Sequence, residues 1–305
     1  MSEAGLATGA ARARASGVER AAIDAALEEF CGLFLDGLPA AVADAIRYSL
    51  LGEGKRLRPV LVLAAFEAAG GEGDASRLAA AVEVVHAYSL VHDDLPCMDD
   101  DDMRRGRATV HRVFGVAAAT AAGLAMVPLA VRAALHGAEL LGLDDVQVKR
   151  IVAELMRASG ASGMIGGQLL DLEGEGRSLT LDELERIHRS KTGALIAAAV
   201  RIGGIAARAD EARLTAFGEY GAAIGLAFQI ADDVLDVTAT TDVLGKTAGR
   251  DLVLKKSTYP ALLGVEGANK RAAALVDDAC TALARRGLLT AQLEGLARYV
   301  VARRN

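Results

Sequence analysis

Apolar residues recur at spacings of three and four in "IDAALEEFCGLFLDGL" (23–38), "LAAAVEVVHAYSLVHDDL" (78–95), "VKRIVAELMRAS" (148–159) and "LTAFGEYGAAIGLAFQIADDVLDV" (214–237). That spacing gathers side chains on one face of a helix. No run alternates convincingly with period two, so strands are not expected. Breaks fall at "GLP" (37–39), "GEGKRLRP" (52–59), "GGEGD" (70–74), "GLDD" (142–145), "EGEGRSLT" (173–180) and "TDVLGKTAGRD" (241–251). Each is short and built from Gly, Pro or helix-capping residues. With no long linker between halves, the pattern predicts one all-α domain over 19–305, behind a frayed tail over 1–18.

One apolar stretch needs separate treatment. Between Arg112 and Arg132 no residue is charged, which approaches the ~20 apolar residues a membrane-spanning helix needs. Its content is mostly Ala, Gly and Thr with one proline, so a buried central helix is expected and no membrane span. Hydrophobic residues make up 52% of the 305, enough for a sizeable core, and aromatics only 4%, which points to close packing of Ala- and Gly-rich helices. A formal net charge of -6 argues against a broad nucleic-acid or anionic-lipid surface. Three scattered cysteines, Cys31, Cys97 and Cys280, suit neither a disulfide framework nor a zinc site, and a reducing cytoplasm is the expected location.

The chemistry concentrates in two aspartate clusters. In "ADDVLDV", Asp232 and Asp236 are four apart, about 40° from each other on a helix, with Asp233 offset but adjacent. Carboxylates held among apolar residues need cations, and hard oxygen donors suit Mg²⁺; a solvated acidic face is the alternative. In "LVHDDLPCMDDDDMRRG" (90–106), Asp93 and Asp99 would point about 120° apart on a regular helix. Pro96 resolves this, because it disfavours helix just before itself and lets the following loop fold Asp99 back toward Asp93. Asp100, Asp101 and Asp102 are read as solvated, capping or paired with Arg104 and Arg105. Mg²⁺ bound by one or two carboxylates keeps positions open for phosphate, so two acid clusters imply more than one ion and a polyanionic ligand. Candidate anion partners are Lys55, Arg56 and Arg58, Arg104 and Arg105, Lys191, Lys246, and Lys255 with Lys256. Together these features suggest a diphosphate site.

"GEGKRLRP", "EVVHAYSLVHDDLPCMDDDDMRRG", "GGQLLDL", "HRSKTGAL", "AFQIADDVLDV" and "KKSTYPALLG" occur in that order over residues 52–264. In this the chain resembles the all-helical trans-prenyl diphosphate synthases, the bacterial farnesyl diphosphate synthase branch most of all. The resemblance implies a helical bundle of the isoprenoid synthase type with a central active-site cavity, working as a cytoplasmic homodimer. It also implies head-to-tail condensation of isopentenyl diphosphate with an allylic diphosphate, dimethylallyl or geranyl, and three Mg²⁺ ions bound with the allylic substrate. Carried over by position, it makes Asp93, Asp99, Asp232 and Asp236 the metal ligands. Arg104 becomes a contact to the allylic diphosphate, and Lys55, Arg58, His86 and Arg105 contacts to isopentenyl diphosphate. Lys191, Thr192 and Gln229 would lie near the allylic carbon, Lys246 and Lys256 on diphosphate, and Gln168 and Asp171 behind the site. Tyr88, five residues before Asp93, would form the floor of the elongation pocket and keep the product short, most readily farnesyl diphosphate. Geranyl and geranylgeranyl diphosphate remain alternative products. Taken alone, His86 and Tyr88 also read as packed core residues, Gln229 as a helix-face amide, and His92 as structural.

The chain departs from the resemblance at one place, "TAAGLAMVP", where Leu124 stands for an expected Asp and Pro128 follows one turn later. A proline inside a helix costs ~3 kcal/mol and tends to kink it. Among rival readings, a non-catalytic partner subunit of a heteromeric synthase would lose an aspartate motif. A terpene cyclase would lack Lys55, Arg58 and His86. An EF-hand would need a glycine and a terminal glutamate that "DDLPCMDDDD" lacks.

Overall fold

The computed structural model describes the backbone of residues 3–238 and 257–302, and side chains from residue 17 onward. Its elements are α1 (Glu3–Phe34), α2 (Ala40–Leu50), α3 (Leu57–Ala68), α4 (Ser76–Asp93), β1 (Met103–Arg104), β2 (Arg107–Ala108), α5 (Val110–Phe114), α6 (Val116–Leu140), α7 (Asp145–Ser159), α8 (Met164–Gly174), α9 (Leu181–His188), α10 (Ala194–Ala206), α11 (Glu211–Thr238), α12 (Tyr259–Ala284) and α13 (Ala291–Ala302). A π-helical turn, Arg189–Gly193, joins α9 to α10 without a break. The expected all-α class holds, since the strands among the described residues are one hairpin with two residues in each arm.

Helix boundaries follow local chemistry. The Asp144 carboxylate accepts from the N–H groups of Val146 and Gln147 to start α7, and Thr180 with Glu183 forms a capping box at α9. α3 begins at Leu57, inside the motif read as a break, because Pro59 falls in the first turn where its missing N–H costs nothing. Arg58 is therefore helical. Along α1, no described side chain before Ile23 is buried.

The central helix is α10, not the uncharged 113–131 stretch. α10 packs against α3, α4, α7 and α11, and nearly all of its residues are buried. α6 is long and apolar enough to cross a membrane by length and composition alone. It buries one stripe, including Ala119, Ala122, Met126, Ala130 and Ala133, against its neighbours, chiefly α4. Leu124, Pro128, Arg132 and Leu135 lie on the opposite, exposed stripe. Both departures from the family pattern thus face away from the core. α6 runs through Pro128 as one helix, and the Leu124 carbonyl, whose i+4 donor Pro128 lacks, lies on a side that water reaches.

Candidate active site

α4 stops at Asp93, where Pro96 forbids another turn. The Asp94 N–H still donates to the Leu90 carbonyl at 3.1 Å; the chain then reverses, and the Asp99 N–H donates to the Asp93 carbonyl at 2.9 Å. This reversal closes the wide angle that would separate the two residues on a straight helix. Both carboxylates line a cavity of about 240 Å³. Asp232 and Asp236 of α11 line the same cavity, together with Arg104, Asp171, Lys191 and Gln229. Two clusters far apart in sequence therefore share one space.

Electrostatics in this cavity are unbalanced. Burial raises the Asp93 carboxyl to about 6, with Lys191 opposing and Asp99 reinforcing the shift. Asp236 is buried, and its Oδ1 has no partner among the described residues. No three Asp, Glu, His or Cys side chains among the described residues converge closely enough to hold a metal ion alone. Carboxylate oxygens spread over two walls nevertheless fit Mg²⁺, which takes one or two carboxylates and fills its shell with phosphate and water.

The π turn supplies Lys191 and Thr192. Such turns insert one extra residue into a helix and recur at functional sites. Two bare glycines seat this one: a Cβ on Gly167 of α8 would lie 2.2 Å from the Lys191 nitrogen, and one on Gly225 of α11 would lie 2.7 Å from the Gly193 Cα. The Lys191 ammonium meets the Asp171 carboxylate at 2.6 Å. The Thr192 hydroxyl donates to Gln229 Oε1 at 3.0 Å, and the Gln229 amide donates to Asp233 Oδ1 at 3.1 Å. Gln168 is buried on α8, and neither its amide oxygen nor its nitrogen has a partner among the described residues.

Several residues have roles the motifs did not disclose. Asp233 is a hub: besides Gln229, its carboxylate accepts from the Tyr259 N–H at 3.0 Å and faces His188 at 3.8 Å, whose ring stacks on Tyr259. Asp94 is buried and accepts from Arg104 Nε at 3.0 Å, while Asp101 pairs with Arg104 at 3.2 Å and Asp102 with Arg112 at 3.1 Å. Arg56, grouped by sequence with the anion partners, is instead a buried structural cation. It bridges Glu83 and Asp24, each at 2.9 Å, and donates to the carbonyls of Leu50 and Gly52. Charge complementarity between remote residues carries no local signal; only the adjacent acidic pairs, Asp93–Asp94 and Asp232–Asp233, hinted that one member of each is held differently.

The second basic set does not line the acidic cavity. Arg58 Nη1 lies 3.3 Å from His86 Nε2, so a neutral imidazole accepts from the guanidinium. Burial drives His86 well below its ordinary range, and the charges of Arg58, Arg105, Arg104 and Arg56 reinforce this. Lys55 is exposed on the preceding loop. Arg105 donates to the Glu53 carbonyl of that loop at 3.0 Å. Tyr88 is buried with its ring edge-on to His92 at 5.0 Å, and His92 Nε2 meets the Thr120 carbonyl at 3.2 Å. Lys246, Lys255 and Lys256 lie outside the described residues.

A helical bundle with aspartates on two walls of one cavity defines the isoprenoid synthase class of fold. Residues 39–286 match the family described as Polyprenyl synthetase, and the chain belongs to that family. It is 50% identical to the farnesyl diphosphate synthase of Escherichia coli K12 over 268 residues, 86% of this chain and 89% of that one. It is 42% identical over 274 residues to a chloroplastic geranylgeranyl pyrophosphate synthase of Arabidopsis thaliana, 88% of this chain and 78% of the other. Among solved structures, a polyprenyl synthase of Caulobacter crescentus complexed with calcium and isoprenyl diphosphate superposes with a TM-score of 0.83 at 28% identity, covering 96% and 97% of the two chains. The chain is a prenyltransferase, acting in prenyl chain condensation.

Proposed function

We propose that this protein condenses isopentenyl diphosphate with dimethylallyl and then geranyl diphosphate, in a Mg²⁺-dependent reaction, to give farnesyl diphosphate. The observation that carries this reading is the single cavity between Asp93 and Asp99 on one wall and Asp232 and Asp236 on the other. Those four carboxylates would hold the magnesium, which neutralises the departing diphosphate when bound. Arg104, Lys191, Lys246 and Lys256 add positive charge for the same leaving group. As the allylic C–O bond breaks, the Thr192 hydroxyl oxygen and the Gln229 amide oxygen face the cationic carbon. Lys55, Arg58, His86 and Arg105 hold isopentenyl diphosphate. Its double bond forms the new C–C bond, and a proton passes to the released diphosphate. Asp171 orients Lys191, and Gln168 stands behind the site.

The exposed leucines of α6, Leu124 and Leu135, support a homodimer, and we assign the enzyme to the cytoplasm. Purified protein incubated with Mg²⁺, isopentenyl diphosphate and labelled allylic primers should yield a fifteen-carbon product. Product formation without divalent cation, or none from any primer, would overturn the assignment. The Caulobacter protein's pairing of a divalent cation with isoprenyl diphosphate favours the same chemistry.

A further inference from the structure

The hairpin that carries Arg104 and Arg105 has no core of its own. Its arms pair Met103 with Ala108 and Arg104 with Arg107, and both residues of its turn, Arg105 and Gly106, have positive φ (52° and 74°). A two-residue turn of this kind favours Asn, Asp or Gly at its first position, so Arg105 is held against its backbone preference. Arg104 and Arg107 also stand directly opposite each other, and like charges across a strand pair repel. Something outside the hairpin must hold it.

α2 and the loop after it supply that support. The Tyr48 hydroxyl donates to the Ala108 carbonyl at 2.8 Å. The Arg107 guanidinium lies over the Tyr48 ring, 4.1 Å from its centroid, a stabilising cation–π contact. Phe114 fixes that ring from the side, edge-on at 5.5 Å. Beneath, a Cβ on Gly52 would lie 2.7 Å from Arg107 Nη1, so the guanidinium rests on bare backbone. Arg107 is thereby drawn to Tyr48 while Arg104 is drawn to Asp94 and Asp101, and the repulsion between them is relieved.

We propose that Tyr48, Arg107 and Gly52 form a clasp that positions Arg105 for the diphosphate of isopentenyl diphosphate. They are positioning residues, and the inference rests on the reading of Arg105 given above. Arg104 has its own anchor in Asp94, so the clasp governs the isopentenyl side of the reaction more than the allylic side.

The test is steady-state kinetics on the full chain, varying each substrate separately, with thermal unfolding as a check on folding. Tyr48→Phe removes one hydrogen bond, and Gly52→Ala displaces the far end of one flexible side chain; neither alters any charge. Each should raise KM for isopentenyl diphosphate about three- to tenfold, the range one hydrogen bond commands. KM for the allylic primer and kcat should stay within about twofold. Arg107→Met should behave likewise, and Arg107→Lys, which keeps a cation over the ring, should restore near-parental KM. An unchanged KM in Tyr48→Phe and Gly52→Ala, or an equal rise for both substrates, overturns the clasp. Arg105→Ala serves as the reference: if it leaves KM for isopentenyl diphosphate unchanged, the reading of Arg105 fails and the clasp with it. If Arg105→Ala raises that KM while the clasp variants do not, only the clasp is wrong.

Discussion

Asp93 and Asp99 are joined through the backbone, the N–H of the second donating to the carbonyl of the first at 2.9 Å, so the loop built on Pro96 returns one carboxylate to the other. Asp232 and Asp236 face them across the cavity. If both walls are needed to neutralise the leaving diphosphate, Asp93→Ala and Asp232→Ala should each reduce kcat by about two orders of magnitude or more, as losing an electrostatic contact to the transition state does. The fold should survive, because both side chains line the cavity and neither is part of the apolar core. Circular dichroism and a Mg²⁺ titration of activity would check both points; full activity with unchanged Mg²⁺ dependence in either variant would refute the assignment.

A second prediction concerns the seat of the π turn. Because the Gly167 Cα abuts the backbone of Lys191, Gly167→Ala must push the turn itself rather than a movable side chain. Overpacking of this kind costs about 1–3 kcal/mol. Chemical denaturation should show that loss, and kcat should fall with it as Thr192 and Lys191 shift. Unaltered stability and activity would mean that the turn is more pliable than its packing implies.

The helices were legible because their apolar spacing is long and regular, and the return of Asp99 was legible because Pro96 leaves the chain few alternatives. The hairpin was not: arms of two residues have no period to detect, and its stability comes from Tyr48, some sixty residues earlier. Nor was the π turn, since i→i+5 bonding leaves no mark on residue type and the glycines that accommodate it lie on other helices. Lack of charge misidentified the central helix. α10 contains Arg201, satisfied by Glu154 of α7 at 3.0 Å, whereas the uncharged 113–131 stretch, most of it in α6, turns one stripe to the surface. Composition records how apolar a segment is, but not which neighbours surround it.

The third prediction is a pH dependence. His86 is held neutral in the native state by burial and by the charges of Arg58, Arg105, Arg104 and Arg56, whereas in the unfolded chain it titrates near its ordinary value. As pH falls through about 6.5, the unfolded state takes up a proton that the native state refuses, so stability declines with falling pH. His86→Gln removes this contribution. Urea unfolding at pH 7.5 and 5.5 should therefore show a larger loss for the parent than for the variant. Equal losses would place the titration of His86 at its unfolded value and contradict the crowding of cations around it.

The last prediction is that product length turns on Tyr88. Its ring is buried and held edge-on by His92, which is fixed in turn by the Thr120 carbonyl and by Gly123, where a Cβ would meet the His92 ring at 2.1 Å. Tyr88 lies one turn before His92 and more than one before Asp93, about 140° away around the helix, so the resemblance to the family, not helix geometry, sets this ring in the path of a chain growing from a diphosphate held at Asp93. Burial, with the Asp93 charge adding, raises the phenol above its ordinary range, which keeps it neutral and suited to an apolar floor. Truncating a ring so firmly braced should leave space rather than collapse, because the braces stand on two different helices. Tyr88→Ala is therefore expected to lengthen the product by one or more isoprene units, from fifteen carbons to twenty or beyond, as read by chromatography of the dephosphorylated products. If the variant and the parent yield the same chain length from the same primer, another residue sets the limit and Tyr88 is only a core aromatic.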